Sequence, residues 1–189
     1  MHRQERAAEM KRYALALLLV ALAACSTTAP APAVFDFGPP PATAAPATNV
    51  QLLEVTAPPW LSGSGLAYRL DYRDPFRREV YRDSRWVAPP PVLLAERLRQ
   101  RAASAPGAAA PVQLRLELEE CSQIFSSPTQ SRVLLRVRAW AGPASLPPKV
   151  FELSRPAPSA DAEGGVIALS QAGDALIDQV LAWAATPSR

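Results

Sequence analysis

The stretch VQLRLELE, residues 112–119, sets Val112, Leu114, Leu116 and Leu118 against Gln113, Arg115, Glu117 and Glu119. Successive side chains of a strand point to opposite faces, so this pattern makes a strand with one dry and one wet face. RVLLRVRAW (132–140) repeats it, with Val133, Leu135, Val137 and Ala139 on one face, and KVFELS (149–154) makes a third strand. SSPTQS (126–131) supplies the turn between the first two. Strands that keep one face solvated read as an antiparallel meander.

Upstream lies SRWVAPPPVLLAERLRQR (84–101). Prolines are tolerated in a first helical turn, whose amides lack partners. A helix is predicted over 89–103, with Leu94, Leu98 and Ala102 on its apolar face and Arg97, Arg99 and Arg101 pointing elsewhere. LAYRLDYR (66–73) and REVYRD (78–83) read as a hairpin turned at RDPF (73–76). VQLLEV (50–55) reads as a strand buried on both faces, and VFDFG (34–38) as a first edge strand. Downstream, Val166, Leu169, Leu176, Val180 and Trp183 mark a helix from Asp161 to Ala185. Asp161 and Glu163 suit the positive end of its dipole, and Gly164 and Gly165 weaken its first turn, so regular helix is expected from Gly165. The predicted fold is α+β: strands, helix, strands, helix, with two helices packed on one face of a mainly antiparallel sheet.

The beginning of the chain has a different character. Lys11 and Arg12 precede a ten-residue apolar run, Tyr13 to Leu22, too short for a membrane span of about 20 residues. It ends Leu22-Ala23-Ala24-Cys25, which resembles the bacterial lipobox. There the thiol is acylated, the chain is cut before the cysteine, and the new amine is acylated too. An ordinary signal peptide with a chance cysteine is the competing reading, but all four positions fit the lipobox. A start at Met10 would leave a compact signal, 10–24. The expected organisation is a signal peptide at 1–24, a lipidated Cys25 with a Pro/Ala-rich tether at 25–48 that includes the apolar segment 34–38, and a domain at 49–186. Several acyl chains exceed the two-signal threshold for stable anchoring. Ser26, rather than aspartate, follows the cysteine; by resemblance to the sorting rule of many Gram-negative lipoproteins, this implies the outer membrane.

Composition narrows the chemistry. Removing 1–24 takes away Arg3, Arg6, Lys11, Arg12, Glu5 and Glu9, so 20 basic and 17 acidic residues become 16 and 15, a net +1. The basic balance is therefore no argument for nucleic acid. Nine of the 16 lie between Arg69 and Arg101, interleaved with acids: a solvated mixed surface, or a docking face for an acidic partner. The one histidine, His2, leaves with the signal, and with it the commonest general base and metal ligand. Cys121, in a strand pattern, reads as a small buried apolar residue. SGSG (62–65) lacks the first glycine of a nucleophile elbow and reads as a loop. Glu119 and Glu120, adjacent on a strand, would face opposite sides and not converge. There is no phosphate-binding glycine loop. No catalytic, metal or cofactor site is expected. Trp86 is expected as an anchor beneath the helix, Trp183 in the core, and Trp60 as an exposed contact.

The order of these pieces, VFDFG, VQLLEVTAPPWL, AYRLDYR, SRWVAPPPVLLAERLRQR, LRLELEECSQIF, RVLLRVRAW and GGVIALSQAGDALIDQVLAW, resembles the ABC-type transport auxiliary lipoproteins. These are the outer-membrane lipoprotein components of MCE-type lipid-transport systems. The resemblance spans 34–185 and is most specific at Arg85-Trp86 and Ala88-Pro89-Pro90. It departs at Phe35-Asp36-Phe37, where the family is usually tyrosine-rich. It implies a non-catalytic subunit that docks a periplasm-spanning MCE component, with permease and ATPase as indirect partners, no nucleic acid, and a possible ring of copies. Arg69–Arg101 is the expected docking face. A lipoprotein that assembles or plugs an outer-membrane export machine is the alternative.

Overall fold

The structure, a computed structural model, describes residues 31–43, 49–103, 111–143 and 146–186 of the 189. Internal contacts divide the chain into 1–31 and 32–189, and the fold is that of the second unit. The alternating stretch becomes β5 (Val112–Ser127), followed by β6 (Gln130–Ala141) and β7 (Lys149–Pro156), each antiparallel to the one before. Leu114, Leu116 and Leu118 of β5, Val133, Leu135 and Val137 of β6 and Phe151 of β7 are buried in one core. Each such side chain contributes about 1.5–3 kcal/mol by leaving water.

β5 runs past its predicted end because a bulge rephases it. Leu118 faces Val137 and Glu120 faces Arg136, leaving Glu119 as the extra residue. Cys121 and Gln123 then take up the inner face, opposite Leu135 and Val133. Two parallel strands share the other edge of β5: β2 (Val50–Thr56) along Val112–Glu117 and β3 (Gly65–Leu70) along Gln123–Phe125. β3 folds back antiparallel onto β4 (Asp74–Trp86), and β1 (Ala33–Phe35) adds in parallel at Ser84–Trp86. The seven-stranded sheet is therefore mixed, in the order β1-β4-β3-β5-β6-β7 with β2 beside β5. β1 and β2 are joined to their partners by long connections, which permits parallel pairing; the hairpin strands have no such freedom.

β1 is an edge strand, as its sequence suggested. β2 is not buried on both faces: it alternates, with a bulge between Leu52 and Glu54 that leaves Leu53 exposed. The hairpin turns at 71–73, where the Arg73 N–H donates to the Leu70 carbonyl at 2.8 Å, rather than at RDPF. Pro75 falls in β4, at a register irregularity where no ladder bond is required of it.

The two helices, α1 (Pro90–Ala103) and α2 (Ala162–Ala184), pack on one face of the sheet. α2 fills the expected span Asp161–Ala185, and its regular turns begin at Ala162 rather than Gly165 because Asp161 caps it, accepting from the Gly164 N–H at 2.8 Å. Its glycines are there for close approach. A Cβ at Gly164 would lie 2.2 Å from the Ser159 carbonyl oxygen, and one at Gly165 would lie 2.3 Å from Gln123 Oε1.

Candidate functional site

Two of the three arginines of α1, Arg97 and Arg101, do not point away from the core; Arg99 does. Arg97 is 3% exposed; it donates to Asp174 Oδ1 at 3.2 Å and to the carbonyls of Phe37 and Gly38 at 2.5 and 2.6 Å. Arg101 donates to Asp178 Oδ1 and, at 2.6 Å, to the Thr43 carbonyl. Ser170 of α2 also donates to the Phe37 carbonyl, at 2.5 Å. Arg97 and Arg101 are four apart, as are Asp174 and Asp178, so each pair sits on one helix face and the two faces meet. The charges that looked solvent-bound thus hold residues 37–43 across both helices. Phe37 is buried edge-on to Trp86, 5.5 Å between ring centres, so Trp86 is buried as expected and anchors the segment that follows β1. Burial pushes the Asp174 carboxyl above its ordinary range, against the pull of Arg97 and Arg101.

The helix-free face of the sheet carries an arginine–glutamate lattice. Arg69 and Arg78 stand opposite each other in register, and Glu120 bridges both, at 3.7 and 2.6 Å. Arg138 pairs with Glu119 at 2.6 Å, and Arg136 with Glu152. Glu119 and Glu120 were expected on opposite sides, but the bulge turns both to this face. Each is held by an arginine of a neighbouring strand, so the pair knits the sheet together and presents no free acid and base.

Beneath the start of α2, the Tyr81 hydroxyl donates to Gln123 Oε1 at 2.9 Å, and Gln123 Nε2 donates to Ser131 Oγ at 2.8 Å. Burial first, then the Asp161 charge, pushes the Tyr81 hydroxyl pKa up, so it stays a donor. A groove of about 520 Å³ runs between the β1 segment and α2, lined by Val34, Val87, Val166 and Ile167 with Asp36 and Glu163. A cleft of about 270 Å³ lies by Leu53, Glu54 and Trp140. Among the described residues the most exposed aromatic is Phe76, 92% open to water beside the hairpin turn, followed by Trp60 at 63%.

The predicted lipidation site, Cys25 with Leu22, Ala23 and Ala24, lies outside the described residues. Cys121 is buried, and its thiol is pushed up to about 12, chiefly by burial, so it is a protonated core residue. Residues 62–65 follow a 3₁₀ turn (Pro59–Leu61) and lead into β3 as a loop. Trp60 is exposed as expected; Trp183 is only half-buried, edge-on to Phe151. Among the described residues there is no group of three or more candidate metal ligands, and no helix is long and apolar enough to cross a membrane. The docking stretch Arg69–Arg101 divides. Arg97 and Arg101 are consumed inside, Arg69 and Arg78 serve the lattice, and Arg73, Arg77, Arg82, Arg85 and Arg99 are exposed. The strap made by 37–43 was missed because its contacts use backbone carbonyls, which leave no trace in residue type.

Ion pairs thus brace the sheet, the helices are strapped on one face, and shallow grooves of mixed polar and apolar lining open beside them. The family model for the ABC-type transport auxiliary lipoprotein component matches residues 35–181, and the chain belongs to that family. The family is a transport auxiliary component and is not known as catalytic. The fold is similar to the crystal structure of protein XCC0632 from Xanthomonas campestris, of family DUF330. The TM-score is 0.63 at 17% identity, covering 82% of this chain and 93% of that one. It is also similar to the crystal structure of an uncharacterized protein, with a TM-score of 0.59 at 12% identity, covering 82% and 99%. No curated protein matches.

Proposed function

We propose that this chain is a non-catalytic lipoprotein subunit of an ABC/MCE-type envelope lipid transporter. Acyl chains on Cys25 hold it at the periplasmic side of the outer membrane, where it docks the MCE component that spans the periplasm and supports lipid passage between membranes. The observation that carries this reading is the family match across the whole folded unit, 35–181. The Leu-Ala-Ala-Cys run supports the anchor. With its leader removed, the chain has no histidine, and its one internal thiol is buried; both favour action by binding. Exposed arginines at 73, 82, 85 and 99 suit rim contacts that steer an acidic partner.

Two measurements test this. A palmitate analogue should label the wild-type chain and not Cys25→Ser, which should accumulate uncleaved at the inner membrane; equal labelling defeats the anchor. Photo-crosslinkers at exposed positions, including Arg82, Arg99 and Trp60, should trap an MCE subunit in intact cells. If the whole surface captures outer-membrane barrel proteins alone, the export-machine reading replaces this one.

A further inference from the structure

The sheet ends at β7, and the outer edge of that strand is open. Hydrogen bonding along an antiparallel strand changes sides from one residue to the next. The Ala157 N–H donates to the Ser131 carbonyl at 3.0 Å, so the odd-numbered residues of β7 bond to β6. The Gly142 N–H donates to Gln113, beside β6, at 2.8 Å, which gives the even-numbered residues of β6 to β5 and the odd ones to β7, in agreement. The N–H and C=O groups of Val150, Glu152 and Ser154 therefore point away from the sheet, and among the described residues no strand receives them. No bulge interrupts the register from Arg132 to Ala139, and a proline stands only at the last position, Pro156. An edge of eight residues this regular is a template for another strand.

The charges beside the edge say which strand it takes. Lys149 and Arg155 share the face of β7 that carries the buried Phe151 and the helices. Lys149 Nζ stands over the Phe151 ring, 5.0 Å from its centre, and Arg155 donates to Gln171 Oε1 at 3.2 Å; among the described residues neither cation meets a carboxylate. Between the edge and α2 lies a cleft of about 600 Å³, lined by Lys149, Phe151, Gln179, Ala182 and the half-buried Trp183. On the other face Glu152 is already paired with Arg136. A second copy of this chain does not fit. The antiparallel self-pairing that engages Val150, Glu152 and Ser154 together sets Lys149 opposite Arg155 and Glu152 opposite its own counterpart, so every charge meets its like.

We propose that the free edge of β7 takes up an extended strand of another protein, one with carboxylates opposite Lys149 and Arg155 and an apolar side chain between them that enters the cleft against Trp183. The two carboxylates stand about 20 Å apart along that strand. Its main chain bonds to Val150, Glu152 and Ser154 and supplies affinity, while the cleft and the two cations choose the sequence. This is the chemistry by which the chain holds its partner, and it rests on the docking reading above.

The test uses the full acylated chain in detergent and the purified MCE component, with amide hydrogen exchange read residue by residue. On mixing, the amides of Val150, Glu152 and Ser154 should slow by about tenfold or more. Glu152→Pro removes an outward N–H and no bond to β6, so the strand survives it. Glu152→Ala removes the same side chain and keeps the N–H. The proline variant should bind about tenfold more weakly than wild type, and the alanine variant within about twofold of it. Lys149→Glu combined with Arg155→Glu should weaken binding as well. Binding with β7 amides that exchange as before, or equal binding by the two Glu152 variants, overturns this inference and leaves the docking reading standing. Slowing in the chain alone that grows with its concentration assigns the edge to a second copy and also overturns it. No binding by the wild-type chain defeats the docking reading, and this inference with it. The wild-type exchange pattern decides the matter by itself if a variant fails to fold.

Discussion

The β3–β4 hairpin and helix α1 draw on the same run of arginines and use them in opposite ways. On the hairpin, Arg73, Arg77 and Arg82 are exposed to water. On α1, Arg97 and Arg101 are buried, and aspartates and backbone carbonyls receive their N–H groups. A guanidinium can be buried where planar acceptors wait for its fork, and not otherwise. The contrast shows that a charge cluster in sequence is not a surface in space. One half of this one faces outward; the other is a clasp for the segment that follows β1.

The comparison breaks most easily at Arg97. Arg97→Ala leaves Asp174 and the Gly38 carbonyl without this donor, takes one of two donors from the Phe37 carbonyl, and should cost about 3–5 kcal/mol in chemical denaturation, as removal of one partner of a buried pair does. A cost below about 1 kcal/mol would show that the strap is held by Phe37 and Ser170 without it. Asp174→Asn should cost markedly less. Burial already raises that carboxyl's pKa in the folded state, so its titration favours the fold below the ordinary aspartate range and loses that contribution as pH rises through the raised value.

Gly165→Ala sharpens the contrast on the helix side. The added Cβ would sit 2.3 Å from Gln123 Oε1 and displace the amide that Tyr81 donates to. A loss of about 1–3 kcal/mol is expected in thermal or urea unfolding. At Gly63, in the loop before β3, a Cβ meets nothing within 4 Å, and the same change should be close to neutral.

Asp161→Ala removes the α2 cap and should cost about 1 kcal/mol. The Gly164 N–H, then the Ser159 hydroxyl, holds this carboxyl below its ordinary range in the folded state. Its contribution is therefore present above the ordinary aspartate pKa and fades as pH falls through the lowered one. Stability curves of wild type and variant should converge under acid and part toward neutrality.

The smallest effect belongs to the hairpin. Arg77 is 70% exposed and pairs with Glu79 at 3.1 Å, so Arg77→Ala should change stability by less than about 0.5 kcal/mol. A larger loss would mean that the exposed arginines are structural after all, and the division drawn here would fall.

Alternation at 112–119, 132–140 and 149–154 was enough to place β5, β6 and β7 and to say which face of each is dry, because the strand period is local. The helix at Pro90–Ala103 was legible from its prolines and the Leu94 and Leu98 spacing. The Glu119 bulge was not, since nothing in Glu119-Glu120 announces a doubled outward residue, and the error carried into the reading of the two carboxylates. The turn was misplaced by two residues because Pro75 is a turn former that the register irregularity accommodates in β4.

By itself, the sequence determined the α+β class, the order of elements, and the burial of Cys121 and Trp86. These follow from periodicity, residue size and chain stops, all read over a few neighbours. Tertiary structure alone decided the parallel placement of β1 and β2, the burial of Arg97 and Arg101, and the need for Gly164 and Gly165 at the start of α2. Each depends on what arrives from far along the chain. Phe37 and Gly38 carbonyls come to Arg97 from about sixty residues away, and Gln123 comes to Gly165 from another strand. A residue's own chemistry says what it can bond to, and only the fold brings the partner within reach.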